Sequence, residues 1–272
     1  MSLFDYEFMR NAFAACTIVG IVAGAIGYFL VLRGETFAGH ALSHVGFPGA
    51  TGAVLIGVAP FAGLTVATVL AGIGIALLGE RAHRDVAIGM VLTFSLGLGL
   101  LFLHFYTAYA SLATNILFGN VLGIAPETVL VLAGLGGACL VGLAVAARPL
   151  IFASLQPDLA EARGVPVTLV SALFMVLVAI STAETIQIVG VLLSFALLVA
   201  PAASAIRMTK TVATGVATSI LLAVSMAWAG LILAYYTDWP TSFWITTLGA
   251  LTYLVAPELQ RLGRRRSAPR LL

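Results

Sequence analysis

Charged side chains are scarce in this chain. Eleven acidic and 13 basic residues make up 9% of its 272 positions, against roughly 25% in a soluble domain. So few charges cannot cover a water-facing surface, which excludes an ordinary soluble globule. Cysteine is nearly absent too. Cys16 and Cys139 each stand inside an apolar run with no CxxC spacing, so neither a disulfide framework nor a thiolate metal clip is read. No G-x-x-x-x-G-K-[ST] segment occurs, and the chain therefore has no phosphate-cradling loop of its own. The basic residues form no patch interleaved with aromatics, and the formal charge is only +2, so nucleic-acid binding has no support. Alternation of polar and apolar residues over about ten positions, the mark of a lipid-spanning strand, is missing as well.

What remains is apolar. Hydrophobic residues make up 61% of the chain and its mean hydropathy is +1.11. They gather in runs near 11–32, 41–58, 61–79, 86–106, 127–147, 166–183, 186–206, 211–236 and 242–257, most of them close to the roughly 20 residues that cross a bilayer as a helix. The expected fold class is therefore all-α: a polytopic membrane bundle of eight or nine transmembrane helices, forming one multi-span unit over 1–272. Backbone polar groups have no water to bond in lipid, so continuous apolar runs there must be helical. The first run is too long for a signal-peptide core and follows Asp5 and Glu7 rather than a basic stretch, so it is expected to be retained.

Orientation follows from Lys and Arg, which collect in cytoplasmic loops. Arg81 with Arg84, Arg148 with Arg163, Arg207 with Lys210, and Arg261 through Arg270 occupy alternate connections. Those connections and the C-terminus are expected in the cytoplasm of a multi-pass cell-membrane protein. The connections around Pro60, 107–126, 184–185 and 237–241 are expected outside. With nine spans the N-terminus lies outside as well, and with eight it lies inside.

Within the spans, Gly46, Gly49, Ala50, Gly52 and Ala53 predict close helix packing, because small residues let two backbones approach where lipid offers no hydrophobic contrast. Polar residues placed there are costly and point to function. His40 and His44 stand four apart, which puts both imidazoles on one helix face, where they either share a cation or form a hydrogen-bonded packing feature. Imidazole suits zinc, copper, iron and nickel. Glu184 is a possible carboxylate accessory, or an interfacial gate or anchor near the outer end of its span. Arg33 and Glu35 adjoin the His-bearing run and read as an inner gate or as a helix anchor. His104 and His83 are weaker candidates.

The polar interruption RPLIFASLQPDLAEARGVP at 148–166 predicts a short helix. Pro157 opens it, Asp158 and Glu161 lie early in it, and Gly164 with Pro166 ends it. Such a helix on the cytoplasmic surface is either a handle for a partner protein or a plain linker.

The segment LRGETFAGHALSHVGFPGA at 32–50 resembles the signature of the metal-type ATP-binding-cassette permeases, the ABC-3 family, which imports zinc, manganese or iron. LFGNVLGI at 117–124 and QIVGVLLSFALLVAPAASA at 187–205 resemble two further family segments. QPDLAEARGV at 156–165 resembles the family's coupling helix. The resemblance implies a homodimer with its pathway between subunits, two cytoplasmic ATPase subunits that carry out ATP hydrolysis, and an extracytoplasmic metal-binding protein. It implies ATPase coupling by Pro157, Asp158, Glu161 and Gly164, and no permanently bound cofactor, the metal being cargo. The family's position for His40 is usually Asp and that for His44 is His, the pair being associated with the metal site. His40 thus departs from the pattern, and losing a hard oxygen ligand favours zinc over manganese.

Rival readings are an ATP-driven importer of a metal chelate or vitamin, which needs no paired ligands, and a secondary transporter, which uses intramembrane carboxylates and no ATPase.

Overall fold

A computed structural model describes residues 5–77, 84–105 and 115–267, the side chains of 84 and 258–267 excepted. Arg81 and His83 lie outside the described residues, as do 106–114 of the expected outer connection and Arg270 of the basic tail. Each of the nine apolar runs corresponds to a long helix among the described residues. They are α1 (Glu7–Leu32), α2 (Thr36–Leu55), α3 (Pro60–Leu77), α4 (Arg84–His104), α5 (Pro126–Leu155), α7 (Val167–Val189), α8 (Ser194–Met208), α9 (Val212–Thr237) and α10 (Thr241–Ser267). A short helix, α6 (Pro157–Ala162), follows α5, and a single 3-10 turn spans Val121–Gly123.

Six of these helices, α1, α3, α4, α5, α7 and α9, are long and apolar enough to cross a bilayer. The others are α2, which carries the imidazoles, α8, with 15 residues, and α10, which ends in a basic stretch. α1 is the axis of the bundle. It is buried along most of its length and packs against α5, α7, α8 and α9. Ser219 on α9 donates a hydrogen bond to the Gly24 carbonyl of α1 (2.7 Å), the kind of polar join that helix pairs in lipid use. α7 is similarly enclosed, whereas α3, α4, α5 and α9 bury a third or less of their apolar windows. Leu70, Leu77, Met90 and Phe94 project from α3 and α4, as lipid-facing side chains do.

The small residues of α2 act as expected. A Cβ on Gly49 would lie 2.7 Å from the Gly63 carbonyl oxygen, and one on Gly63 would lie 2.4 Å from that of Gly49, so α2 and α3 meet at backbone contact.

Of the boundaries that differ from the sequence expectation, two bear on the site. The connection expected at 184–185 is continuous helix, and the turn comes at 190–193, where Gly190 takes φ +81. Hydropathy cannot place a break inside a long apolar stretch; a left-handed glycine can. α5 continues through Arg148 and Pro149 to Leu155, past the expected end at 147, and so delivers α6 directly. The expected short helix is present. Pro157 is its first residue, and it closes with the Val165 amide bonding to the Ala160 carbonyl and the Gly164 amide to that of Glu161. That reciprocal pattern requires the left-handed Gly164 (φ +77) and ends a helix within one residue.

Candidate metal-binding site

α1 closes in the same way as α6. The Gly34 amide bonds to the Val31 carbonyl and that of Glu35 to Leu30, with Gly34 at φ +69. The chain reverses there and starts α2 at Thr36, so His40 comes in its second turn and His44 in its third. The four-residue spacing sets the two rings against each other, centroids 4.7 Å apart and nearly perpendicular. The His40 ring also meets the Phe195 ring of α8 edge-on at 5.1 Å. His44 is 9% exposed and His40 half-buried.

The Nδ1 atom of each ring is buried with no hydrogen-bond partner. A buried polar atom left unpaired costs about 1–3 kcal/mol, so the pair leaves two ring nitrogens unsatisfied by the protein's own groups. Among the described residues no group of three or more His, Cys, Asp or Glu side chains is close enough to hold an ion. The pair therefore stands without a third candidate ligand among the described residues.

Two residues beyond His44, Gly46 packs under Leu64 of α3 and Ile186 of α7. Both belong to a buried apolar cluster with Phe47, Ala50 and Ala183. Beyond this plug a cavity of about 500 Å3 opens, lined in part by Asn115, Asn120, Glu127 and Gln187. Oxygen-bearing side chains therefore line that cavity, and neither imidazole does.

Glu184 does not join the His pair. It stands two residues, about 200° around the helix, from Ile186. Its Oε1 lies within 3.4 Å of where a Gly136 Cβ would be, so it points toward α5. The side chain is fully buried, and neither carboxyl oxygen has a hydrogen-bond partner. A lone charge there would cost several kcal/mol. Glu184→Gln, which keeps the shape and cannot be charged, is therefore expected to leave membrane abundance and uptake near wild type, and Glu184→Lys to remove the protein from the membrane. A Gln variant of normal abundance that fails in uptake would contradict this.

Arg33 and Glu35 pair across Gly34. Nε donates to Oε2 at 3.1 Å and Nη2 to Oε1 at 3.2 Å. Arg33 also donates to Ser154 of α5 (3.2 Å) and Ser171 of α7 (2.8 Å), and its guanidinium lies 5.4 Å from the Phe174 ring centre. On α6, Pro157, Asp158 and Glu161 are exposed, as is Gly164 just past its end, while Ala160 anchors the helix in the bundle. His104 ends α4 against Phe105, apart from the pair. Sequence reasoning missed Phe195, Ser154 and Ser171. Each lies more than 100 positions from its partner in the chain, and no local pattern announces such a contact.

The comparisons with known proteins agree with this architecture. The model of the ABC 3 transport family matches residues 5–259. The manganese transport system membrane protein MntC of Halalkalibacterium halodurans is 31% identical over 268 residues, covering 96% of this chain and 92% of that protein. The manganese import system permease protein ScaB of Streptococcus gordonii is 30% identical over 269 residues, covering 97% and 96%. Among solved structures, a chain of PsaBC from Streptococcus pneumoniae in complex with Fab superposes with a TM-score of 0.86 at 30% identity, covering 97% of each chain. A match along nearly the whole bundle, His-bearing helix included, makes this chain a member of the ABC 3 transport family, a multi-pass membrane permease for metal ions.

Proposed function

We propose that residues 1–272 form one transmembrane permease domain of an ATP-driven importer, and that His40 and His44 pass a divalent transition-metal ion along its pathway, with zinc favoured over manganese. The observation that carries this reading is the facing pair of imidazoles whose buried Nδ1 atoms have no other partner. A site in a pathway must release what it binds, so two nitrogen ligands with water or a second copy completing the shell suit it better than four protein ligands.

The relatives' names keep manganese, and the family's range keeps iron, as possible cargo. The zinc preference comes from this chain's own imidazole at position 40, where the family usually has a carboxylate. The basic connections support a cytoplasmic C-terminus in the cell membrane. Exposed α6, with Leu159 44% accessible, is the natural contact for the ATPase dimer, through Pro157, Asp158, Glu161 and Gly164. An extracytoplasmic metal-binding protein would deliver the ion to the opposite end, and a second copy of this chain would close the pathway.

The test is ATP-dependent uptake of zinc and manganese by the complex reconstituted with its ATPase and binding protein. Zinc uptake should exceed manganese uptake, and His40→Asp should lower the zinc-to-manganese ratio about tenfold, or ~1.4 kcal/mol. Manganese uptake without zinc in the wild type would overturn the preference. Uptake of a chelate with none of the free ion would favour the chelate reading instead.

A further inference from the structure

We propose that Arg33 is a positioning residue that locks α6 to the His-bearing helix, so that a displacement of α6 is carried to His40 and His44. The proposal deepens the reading above and rests on it for the identity of the cargo.

The guanidinium ties together the end of α5 and the second turn of α7, the two helices that α6 connects. Ser154 stands three residues before Pro157 and Ser171 nine residues after Ala162, and Arg33 donates to both hydroxyls at once. Its other contacts run to Glu35, the residue just before α2. The ion pair is only 9% and 11% exposed, so water screens it little. A planar fork that binds a carboxylate through two nitrogens fixes orientation as well as distance. Glu35 is followed by Thr36, where α2 begins, and His40 comes one helical turn later. A helix transmits axial displacement over so short a distance with little loss.

Covalent connection alone does not provide this link. α6 is joined in sequence to α5 and α7, while α2 touches α1 and α7 only lightly compared with α3 and α4. A cavity of about 550 Å3, lined by Arg33, Glu35, Pro157, Glu161 and Thr168, lies between α6 and the α1–α2 turn. The helix therefore has room to slide past that turn unless Arg33 holds it.

The experiment uses the full complex with its ATPase and binding protein. Arg33→Ala breaks the ion pair with Glu35 and risks misfolding, so the main variant is Ser154→Ala with Ser171→Ala, which removes the grip on the helices flanking α6 and leaves the Arg33–Glu35 pair in place. ATP hydrolysis and assembly should stay near wild type, while metal taken up per ATP hydrolysed falls about tenfold. Arg33→Lys keeps the charge but not the fork and should behave like the double serine variant. A second readout needs no cargo: spin labels on Leu159→Cys in α6 and Phe37→Cys in α2, both side chains being over 40% exposed. The label separation should stay constant through the nucleotide cycle in the wild type and become nucleotide-dependent in the double variant. A separation that changes equally in both, or uptake and hydrolysis falling in proportion, would overturn the proposal. If the wild-type complex hydrolyses ATP without moving metal, the proposed function fails, and the label separation still decides the clamp.

Discussion

Replacing both His40 and His44 by Ala should reduce ATP-dependent uptake of free metal about a hundredfold while leaving the protein in the membrane at near-normal abundance. The two consequences separate because the rings contribute differently to cargo and to fold. In the proposed site they are the two ligands this chain supplies, since no third His, Cys, Asp or Glu joins them among the described residues. Removing both therefore removes the site rather than weakening it. As packing groups they contribute less. His40 is half-buried, and the Nδ1 atoms of both rings are unpaired, so Ala deletes two buried polar burdens along with some ring contact against Phe195. Uptake by the double variant measured beside its abundance and its ATP hydrolysis checks this. Undiminished uptake of the free ion would remove the pair from the pathway, and loss of free-ion uptake with a surviving chelate flux would point to a wider route.

Gly190→Ala should be strongly damaging, because strain and a backbone clash coincide there. Gly190 sits at φ 81, ψ 169, a region essentially closed to residues with a Cβ, at a cost of about 1–3 kcal/mol. The added carbon would also lie 2.2 Å from the Leu117 carbonyl oxygen and 2.4 Å from the Gly119 nitrogen. Neither backbone atom can move aside without breaking the two hydrogen bonds that join the strands of chain here, Val191 to Ile116 and Leu192 to Leu117, worth about 0.5–1.5 kcal/mol each. The sum approaches a large part of the 5–15 kcal/mol that holds a typical domain together. Abundance in the membrane and thermal stability in detergent should both fall sharply. Gly74→Ala is the control. Nothing lies within 4 Å of its Cβ position and it is helical, in the last described turn of α3, so it should be neutral or slightly stabilising. Equal behaviour of the two variants would contradict the argument.

The residues that were legible in advance share one property: their information is local. Apolar runs of spanning length announced the helices because lipid accepts no other backbone. Pro157 and Gly164 announced α6 because one sets a helical φ and the other accepts a left-handed one. The spacing of His40 and His44 announced a shared face because a helix turns once in 3.6 residues. The surroundings of Glu184 were not legible for the opposite reason. Its neighbours in sequence are uniformly apolar, so neither the continuation of α7 to Val189 nor the direction of the carboxyl toward Gly136 had a local mark.

Composition and spacing alone thus made this a many-helix membrane chain with an imidazole pair on one helix and a short surface helix farther along. Only the packed bundle decided that Glu184 faces away from that pair, that Phe195 borders it, and that Arg33 reaches Ser154 and Ser171 across the end of the bundle. Periodicity states which way a side chain leaves its own helix. What it meets depends on how helices more than 100 positions apart in the chain come together.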